Sequence, residues 1–558
     1  MKHFLHKFIH IPKYKYGSRA IMRWLWKAWC GNRKQALLNA LVGLVSVAVS
    51  LLQVAAFKYA IDVASGVIQG NLYLAIGYIS LLVLASFGLN ISSVWIKNIL
   101  GIKAQNRMQQ KMLERILRSE WRGRERMHSG DVLNRLEFDV NNVVVFLTET
   151  IPSAISVLAM FLGAFFYLFS MDKLLSVLVV IMLPLFVAVS KIYVGQMRKL
   201  TRKVRDSDSK VQSVLQETIQ HRMLIKTMES DVEMVNRLEN TQSELRGNVI
   251  RKTKFTVLSN FIINFGFAFG YLVAFFWAAV RLSRHTLSFG GMTAFLQLVN
   301  KIQGPARDLT KLIPAFVSVF TAAERLMELE ENPLEEQGEP IFLGAPCGIR
   351  LNHVTYSYNQ QDDEVIKDLN FDFKPGSSTA ILGETGAGKT TLIRLILALI
   401  KPQKGTVEIY NEDISNPISP RHRCNLVYVP QGNTLMSGTI RDNLKLGKQN
   451  ATEEELQEVL RLCCADFVYD LPKGLDTSCS ERGAGLSEGQ AQRITIARSL
   501  LRNRSIMLFD EATSALDPET EKQVLHNLLC NHRKTVIFIT HRPAVKEYCD
   551  QILKIKKI

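Results

Sequence analysis

The distribution of apolar residues divides the chain into two parts of different character. Before about residue 330 the apolar residues lie in long runs, and after it they fall into short alternating bursts. Long runs are typical of helices that cross a bilayer, whereas short bursts are typical of a soluble domain with strands and helices. With 558 residues, the chain is also too long for one hydrophobic core. The pattern predicts a membrane part followed by a cytosolic part.

Six segments approach the ~20 apolar residues that a helix needs to cross a hydrocarbon layer. They cover residues 36–60, 72–96, 151–171, 174–194, 255–280 and 289–306. The first five are almost uninterrupted, whereas the sixth contains polar residues such as Asn300 and Lys301. We predict an all-α six-helix transmembrane domain over residues 1–335, with the sixth helix continuing to Leu329.

The spacing of these segments predicts long cytosolic helices. Roughly fifty to sixty residues of polar helical pattern separate spans two and three, and again spans four and five. These stretches are rich in Lys and Arg, whereas the linkers around Gly66 and Asp172 are poor in positive charge. The positive-inside rule then places both termini in the cytoplasm, although Arg281 and Arg284 in the last external loop run against it. We predict a multi-pass protein of the cell inner (cytoplasmic) membrane.

The net charge of +17 raises the question of a polyanionic partner. The basic residues lie beside apolar runs and not in aromatic-interleaved patches, so we expect anionic membrane lipid and no nucleic acid. From Lys2 to Lys34 the chain carries no acidic residue and contains Trp24, Trp26 and Trp29. This segment predicts a helix lying at the inner membrane surface.

A glycine-rich loop marks the cytosolic part. Residues 383–390 read GETGAGKT, between an apolar strand at 379–382 and a helix at 391–399. The loop amides can surround phosphates, Lys389 can neutralise their charge, and Thr390 can bind magnesium. We predict an α/β P-loop nucleotide-binding domain over residues 336–558. The nucleotide contacts assigned to the loop are Gly383, Glu384, Thr385, Gly386, Ala387, Gly388, Lys389, Thr390 and Thr391.

Further motifs follow the loop in order. They are LSEGQ at 486–490, an apolar strand ending in Asp510 and Glu511, SALD at 514–517, and His541 after another strand. Together with Tyr358 and with Gln431 in Val-Pro-Gln, this series over about 190 residues resembles an ATP-binding cassette domain. The fold class that this resemblance implies is multidomain: the six-helix transmembrane domain plus an α/β P-loop ATP-binding cassette.

The resemblance implies a role for each motif residue. Glu511 would deprotonate the attacking water, and His541 and Gln431 would be the other catalytic residues. The magnesium ligands would be Thr390, Gln431 and Asp510, partly through water. The ATP contacts outside the loop would be Tyr358, which stacks on adenine, and Ser487, Gly489, Gln490 and Asp517. The cofactors expected are ATP and Mg²⁺.

In the family, the signature motif of one cassette closes on the nucleotide of another, so Ser487 and Gly489 are expected to act in the partner's site. A chain with one cassette should therefore dimerise, as a homodimer or with a different subunit. The sequence departs from the family at Glu488, where glycine is usual. A carboxylate facing the γ-phosphate would disfavour closure, so we expect this side chain to point outward.

Residues 477–483 resemble the X-loop of exporters, and with six spans ahead of the cassette they indicate an ABC exporter half-transporter. Residues 118–126 and 221–226 would be its coupling helices, or else solvated charged helices. An ATP-gated channel or regulator is the other class considered, but the sequence has no pore motif. A peptidase-linked transporter is disfavoured because too few residues precede Lys34 to form a protease domain.

The eight cysteines fit a reducing compartment, since none lies in a predicted external loop. Adjacent Cys463 and Cys464 lack a second pair at metal-binding spacing, so we expect them to serve in packing.

The transported molecule is the least constrained feature. We expect a small amphipathic, lipid or peptide substrate that carries negative charge, because Lys301 lies in span six and spans five and six contain no acid. The alternatives for Lys301 are snorkelling and a helix–helix contact. Arg307 and Lys311 are expected at the inner headgroup level.

Overall fold

The computed structural model describes residues 15–31, 33–121, 129–358, 364–479, 485–529 and 534–557. For residues 129, 175, 178–195, 198, 263, 306–314, 543 and 544 it describes the backbone alone. Parts of three predicted features lie outside these residues: the start of the N-terminal interfacial helix, most of residues 118–126, and residues 480–483 of the exporter loop. The side chains of Arg307 and Lys311 are also outside the described part of the chain, so their predicted position at the inner headgroup level stays a prediction.

Contacts divide the chain into two units. The first comprises Met1–Leu113 and Gly130–Leu329, and the second comprises Glu114–Ser129 and Glu330–Ile558. The short stretch Glu114–Ser129 thus packs with the second unit although it lies between two spans. Each unit is described separately below.

The first unit is built from long helices. They are α1 Ser18–Ala28, α2 Arg33–Ala64, α3 Leu72–Leu117, α4 Gly130–Met171, α5 Lys173–Gln220, α6 Arg222–Thr227, α7 Asp231–Ser283 and α8 Phe289–Glu330. Each of the six predicted spans lies within one of these helices, and α8 continues past Leu329 as predicted. By length and hydropathy, α2, α3, α4 and α7 can cross a membrane.

Two buried aspartates tie helix ends together on the side predicted to be external. Asp62 accepts a hydrogen bond from the Gly290 amide at 3.1 Å, at the start of α8. Asp172 accepts from the Trp277 indole at 3.0 Å and pairs with Arg281. Arg281, in the last turn of α7, is therefore neutralised locally, which explains why this cation is tolerated against the positive-inside trend.

A charge cluster joins the beginning of α4 to the end of α8. Arg135, whose side chain is 9% exposed, contacts Asp131 at 3.0 Å and Glu328 at 2.9 Å. Arg325 contacts Asp131 at 2.6 Å and Asp139 at 3.2 Å. Because buried Arg135 and partly exposed Arg325 both have carboxylate partners, the cluster can fix the two helix ends without an unpaired cation.

The second unit contains two sheets and the helices around them. Its strands are β1 Gly348–Tyr356, β2 Ile366–Phe373, β3 Ser378–Leu382, β4 Lys404–Tyr410, β5 Ser415–Pro417, β6 Leu426–Val429, β7 Gly438–Thr439, β8 Ser478–Cys479, β9 Ile506–Asp510, β10 Thr535–Ile539 and β11 Gln551–Lys554. Its helices are α9 Lys389–Ile396, α10 Ile440–Lys445, α11 Glu453–Leu462, α12 Phe467–Asp470, α13 Glu488–Arg502, α14 Pro518–Leu529 and α15 Pro543–Glu547.

A parallel sheet forms the centre of this unit. Its strand order is β11-β3-β10-β9-β6, and every neighbouring pair is parallel. All five residues of β9 and of β10 are buried, as expected for strands covered on both faces. A second, antiparallel sheet has the order β2-β1-β4-β5. Because β3, β9 and β10 are adjacent and parallel, the residues that follow them meet at one edge.

The predicted packing role of the adjacent Cys463 and Cys464 is confirmed in the core of the second unit. Cys463 is fully buried in the apolar cluster around α11 and α13, and Cys464 packs against that cluster. Burial raises the pKa of the Cys463 thiol, which favours the neutral form.

The close approach of α8 to α2 requires glycine at position 290. A Cβ atom there would lie 2.4 Å from the Lys58 carbonyl oxygen and 2.6 Å from an Asp62 carboxylate oxygen. We expect Gly290→Ala to lower the free energy of unfolding by about 1–3 kcal/mol through overpacking. Gly77→Ala is the matched control, because a Cβ there has nothing within 4 Å. Thermal unfolding of both purified variants in detergent measures the difference, and equal midpoints would contradict the packing argument.

Candidate functional site

The glycine-rich loop joins β3 to α9 in the geometry of a phosphate-binding turn. Gly386 and Gly388 have φ of 85° and 96°, values that side-chain-bearing residues rarely adopt. A Cβ at Gly388 would also lie 2.9 Å from the Val365 carbonyl oxygen. The loop conformation therefore depends on glycine, and it turns into α9 so that backbone amides gather at the helix start.

Lys389, the first residue of α9, is only 8% exposed. Its Nζ donates to the Gly383 carbonyl at 2.6 Å and approaches His541 Nε2 at 2.8 Å. The Gly383 carbonyl is a neutral acceptor for the ammonium group, which can only donate. Phosphate oxygens would be stronger acceptors for the same cation.

Two carboxylates lie at the end of β9, at the same edge of the sheet: Asp510 is its last residue and Glu511 follows it. Asp510 is buried and accepts a hydrogen bond from the Tyr428 hydroxyl at 3.1 Å. Glu511 has φ of 49°, and its amide donates to the Ile539 carbonyl at 3.0 Å. A left-handed backbone at a non-glycine residue is strained and is common at functional positions.

The three predicted catalytic residues are brought into contact. Glu511 Oε2 accepts from Gln431 Nε2 at 2.9 Å, and Glu511 Oε1 lies 3.4 Å from His541 Nε2. Since His541 also contacts Lys389, a continuous polar cluster links the glycine-rich loop, β9, β10 and the segment after β6. Their individual roles stay predictions.

Burial and neighbouring charges act against each other in this cluster. Burial raises the pKa of Asp510, as does Glu511, while the Tyr428 hydrogen bond and the charge of Lys389 lower it. Burial lowers the pKa of Lys389, and the two carboxylates raise it. Lys389 and Asp510 thus favour each other's charged form, whereas the charge of Glu511 disfavours ionised Asp510. A bound divalent cation would favour the charged form of both carboxylates.

The residues present fit a nucleotide with magnesium. In the predicted loop contacts, Ala387 and Thr391 are buried and hold the turn, whereas Glu384, Thr385 and Thr390 are exposed. Hydroxyl, carboxylate and amide oxygens, as offered by Thr390, Asp510 and Gln431, are ligands that magnesium prefers.

Tyr358, predicted to stack on adenine, is fixed through its hydroxyl. Its Oη lies 3.0 Å from Thr391 Oγ1 and accepts from Arg394 Nη1 at 2.7 Å. Sequence reasoning did not identify Arg394 or Tyr428. The available signal for Arg394 was a cation between the apolar residues of Leu392–Ile396, and Tyr428 looked like an ordinary strand residue.

The residues of the predicted signature motif lie at the start of α13. Ser487 caps α13, with its hydroxyl accepting from the Gln490 amide at 3.2 Å, and Glu488 beside it is exposed in the single chain. That Glu488 points away from a partner's γ-phosphate stays a prediction. A Cβ at Gly489 would lie 2.8 Å from the Ala515 carbonyl, and Asp517 accepts from the Thr520 amide at 3.0 Å. Within the described part of the chain, no recorded hydrogen bond connects these residues to the glycine-rich loop.

Residues 118–121, the described part of the first predicted coupling segment, pack on the cassette. The Glu120 amide donates to the Pro333 carbonyl at 2.9 Å, and the Glu335 amide donates to the Arg118 carbonyl at 2.9 Å. Trp121 packs against the apolar cluster that contains α9. The second predicted segment coincides with the short helix α6, whose docking stays a prediction.

Comparison with known proteins identifies both parts of the chain. The family profile described as ABC transporter transmembrane region matches residues 36–306, and the profile described as ABC transporter matches residues 366–514. The chain is 27% identical over 456 residues to an ATP-dependent lipid A-core flippase of Chromobacterium violaceum, covering 80% of this chain and 77% of the relative.

Two further similarities cover most of the chain. An uncharacterized ABC transporter ATP-binding protein of Sinorhizobium fredii is 32% identical over 433 residues, covering 74% of this chain and 73% of the relative. The solved structure of a bacterial Atm1-family ABC exporter with ATP bound aligns with a TM-score of 0.79 at 22% identity, covering 94% of this chain and 95% of that one.

These matches confirm the predicted fold class, a helical transmembrane domain fused to a sheet-containing ATP-binding cassette. The chain therefore belongs to the ABC transporter family and is a multi-pass membrane protein of the exporter half-transporter type.

Proposed function

We propose that this chain hydrolyses ATP with Mg²⁺ and uses the energy to export or flip an amphipathic substrate across the membrane. The observation that carries the proposal is the contact of Glu511 with both Gln431 and His541, next to Lys389. A carboxylate placed beside a phosphate-binding cation can act as general base on a water attacking the γ-phosphate.

Each residue of this cluster would have a separate task. Lys389 would bind the β and γ oxygens, and Glu511 would accept the proton of the attacking water. His541 and Gln431 would orient the γ-phosphate and the water. Thr390, Asp510 and Gln431 would hold Mg²⁺, which neutralises charge on the leaving phosphates.

Hydrolysis would require two copies of the cassette. A second chain would supply Ser487 and Gly489 to each site, as the family resemblance implies. Within the described residues, neither Ser487 nor Gly489 has a hydrogen bond to the glycine-rich loop. We propose a homodimer, with pairing to a different subunit as the alternative. Both termini and the cassettes would face the cytoplasm from the inner membrane, because the basic segments lie on that side.

The substrate would be amphipathic, a lipid, peptide or other small molecule. A relative that covers most of the chain is named a lipid A-core flippase, which supports a lipid-like substrate. Lys301 Nζ donates to Ser50 Oγ of α2, a helix–helix contact with a neutral partner that leaves the positive charge uncompensated at that contact. An anionic headgroup near this lysine would be favoured over a cationic one.

We expect Glu511→Gln to abolish turnover while retaining ATP, because the amide keeps the shape of the side chain but cannot act as a base. Phosphate release by the purified full-length protein measures turnover, and retained radiolabelled ATP measures binding. Glu412→Gln is the matched control, since Glu412 lies on an exposed turn. Near-parental phosphate release by Glu511→Gln would overturn the assignment of the base.

The proposed preference for negative charge is tested by substrate-stimulated ATPase activity over anionic lipids, acidic peptides and cationic drugs. We expect anionic compounds to stimulate the parent protein best and Lys301→Gln to respond less to them. Ser50→Ala should keep the response, because it removes the neutral partner and preserves the charge. Better stimulation by cationic compounds, or a Lys301→Gln response equal to the parent's, would show that Lys301 only joins helices.

A further inference from the structure

Arg394 connects parts of the second unit that are distant in sequence. It lies on α9, one turn beyond the phosphate-binding residues, and its Nη1 donates to the Tyr358 hydroxyl at 2.7 Å. The same guanidinium lies over the ring of Trp121, with 4.4 Å between its central carbon and the ring centroid. In-plane donors and a π face allow one guanidinium to serve a hydroxyl and an aromatic ring together.

The Trp121 side of this contact is anchored to the beginning of the cassette. Backbone hydrogen bonds from residues 118–120 pair the stretch with Pro333, Leu334 and Glu335. The Glu120 carboxylate also lies 3.8 Å from Lys401 Nζ. Trp121 is therefore the point where a chain segment that comes directly from α3 meets the adenine side of the nucleotide site.

The Tyr358 side is equally constrained. Its hydroxyl is held between Arg394 and Thr391, so the ring orientation depends on two residues of α9. A base that stacks on the Tyr358 ring would contact a side chain whose hydroxyl is hydrogen-bonded to Arg394. Any shift of the ring on stacking would change the hydrogen bond and, through the shared guanidinium, the contact with Trp121.

We propose that Arg394 is a positioning residue that couples occupation of the adenine site to the segment entering the cassette from α3, through Tyr358 on one side and Trp121 on the other. The proposal rests on the proposed nucleotide site. It assigns the coupling to the base, because the Arg394 guanidinium donates to Tyr358, whereas its charge is the weakest of the influences on the pKa of Asp510. Coupling between the adenine site and the Trp121 segment acts in both directions. Substitution of Trp121 should therefore weaken binding of the base, as substitution of Arg394 does.

A simple packing role for Trp121 makes a different prediction. If Trp121 only anchored the segment, its loss would disturb the cassette as a whole and would weaken base-containing and base-free ligands together. Two probes separate the possibilities: the non-hydrolysable imido analogue of ATP, and magnesium tripolyphosphate, which has the phosphates but no base. Neither probe depends on hydrolysis, so failure of this proposal is distinguishable from failure of the proposed ATPase.

The experiment measures equilibrium binding of both probes to the full-length protein in lipid nanodiscs. The variants are Arg394→Gln, Trp121→Leu and the double variant, with Trp121→Phe as a milder change that keeps an aromatic ring. Arg350→Gln is the matched control, since Arg350 stacks on Tyr410 at 4.5 Å in the antiparallel sheet without joining the nucleotide site.

We expect each single variant to bind the ATP analogue about fivefold or more weakly, at the low end of measured site couplings, with tripolyphosphate affinity unchanged. The double variant should bind no more weakly than Arg394→Gln, because residues acting through one contact are not additive. Trp121→Phe should lie between the parent and Trp121→Leu, and Arg350→Gln should match the parent. Equal loss of tripolyphosphate binding, multiplying effects in the double variant, or an unaffected Trp121→Leu would overturn the proposal.

Discussion

The parallel order of β3, β10 and β9 is the constraint on which the nucleotide site depends. Adjacent parallel strands end at the same edge, so the loop after β3, the carboxylates after β9 and the histidine after β10 are brought together although about 150 residues separate the first from the last. All residues of β9 and β10 are buried, so both strands lie in the core of the second unit. Lys389 and His541 come within 2.8 Å because of this strand order.

The same strand order places charged groups in a partly buried site, where a nucleotide with magnesium can pair with them. A buried lysine and two carboxylates share a small volume, and burial opposes the charge on Lys389 and on Asp510. A triphosphate offers Lys389 charged oxygens, and magnesium offers Asp510 a cation. The strained backbone of Glu511 holds its carboxylate at this position before any ligand arrives.

The sequence predicted local elements and motif positions well, because hydropathy runs and the glycine-rich loop are local signals. The helix predicted at residues 391–399 instead spans Lys389–Ile396, since Ala398 adopts a left-handed φ of 50°. Contacts between distant residues could not be predicted: Arg281 with Asp172 is 109 positions apart, and Lys301 with Ser50 is 251 apart. The packing of Glu114–Ser129 with the cassette also depends on tertiary structure that no local pattern encodes.

The central claim, that ATP hydrolysis at this cassette moves an amphipathic molecule across the bilayer, is tested most directly in sealed vesicles. Phosphate release and the leaflet distribution of a headgroup-labelled anionic lipid are measured in the same sample, with Mg²⁺ and ATP added outside. The account predicts that lipid moves between leaflets only during hydrolysis and in proportion to the phosphate released. Hydrolysis without movement of any lipid, peptide or drug tested, or movement at the same rate without ATP, would contradict it.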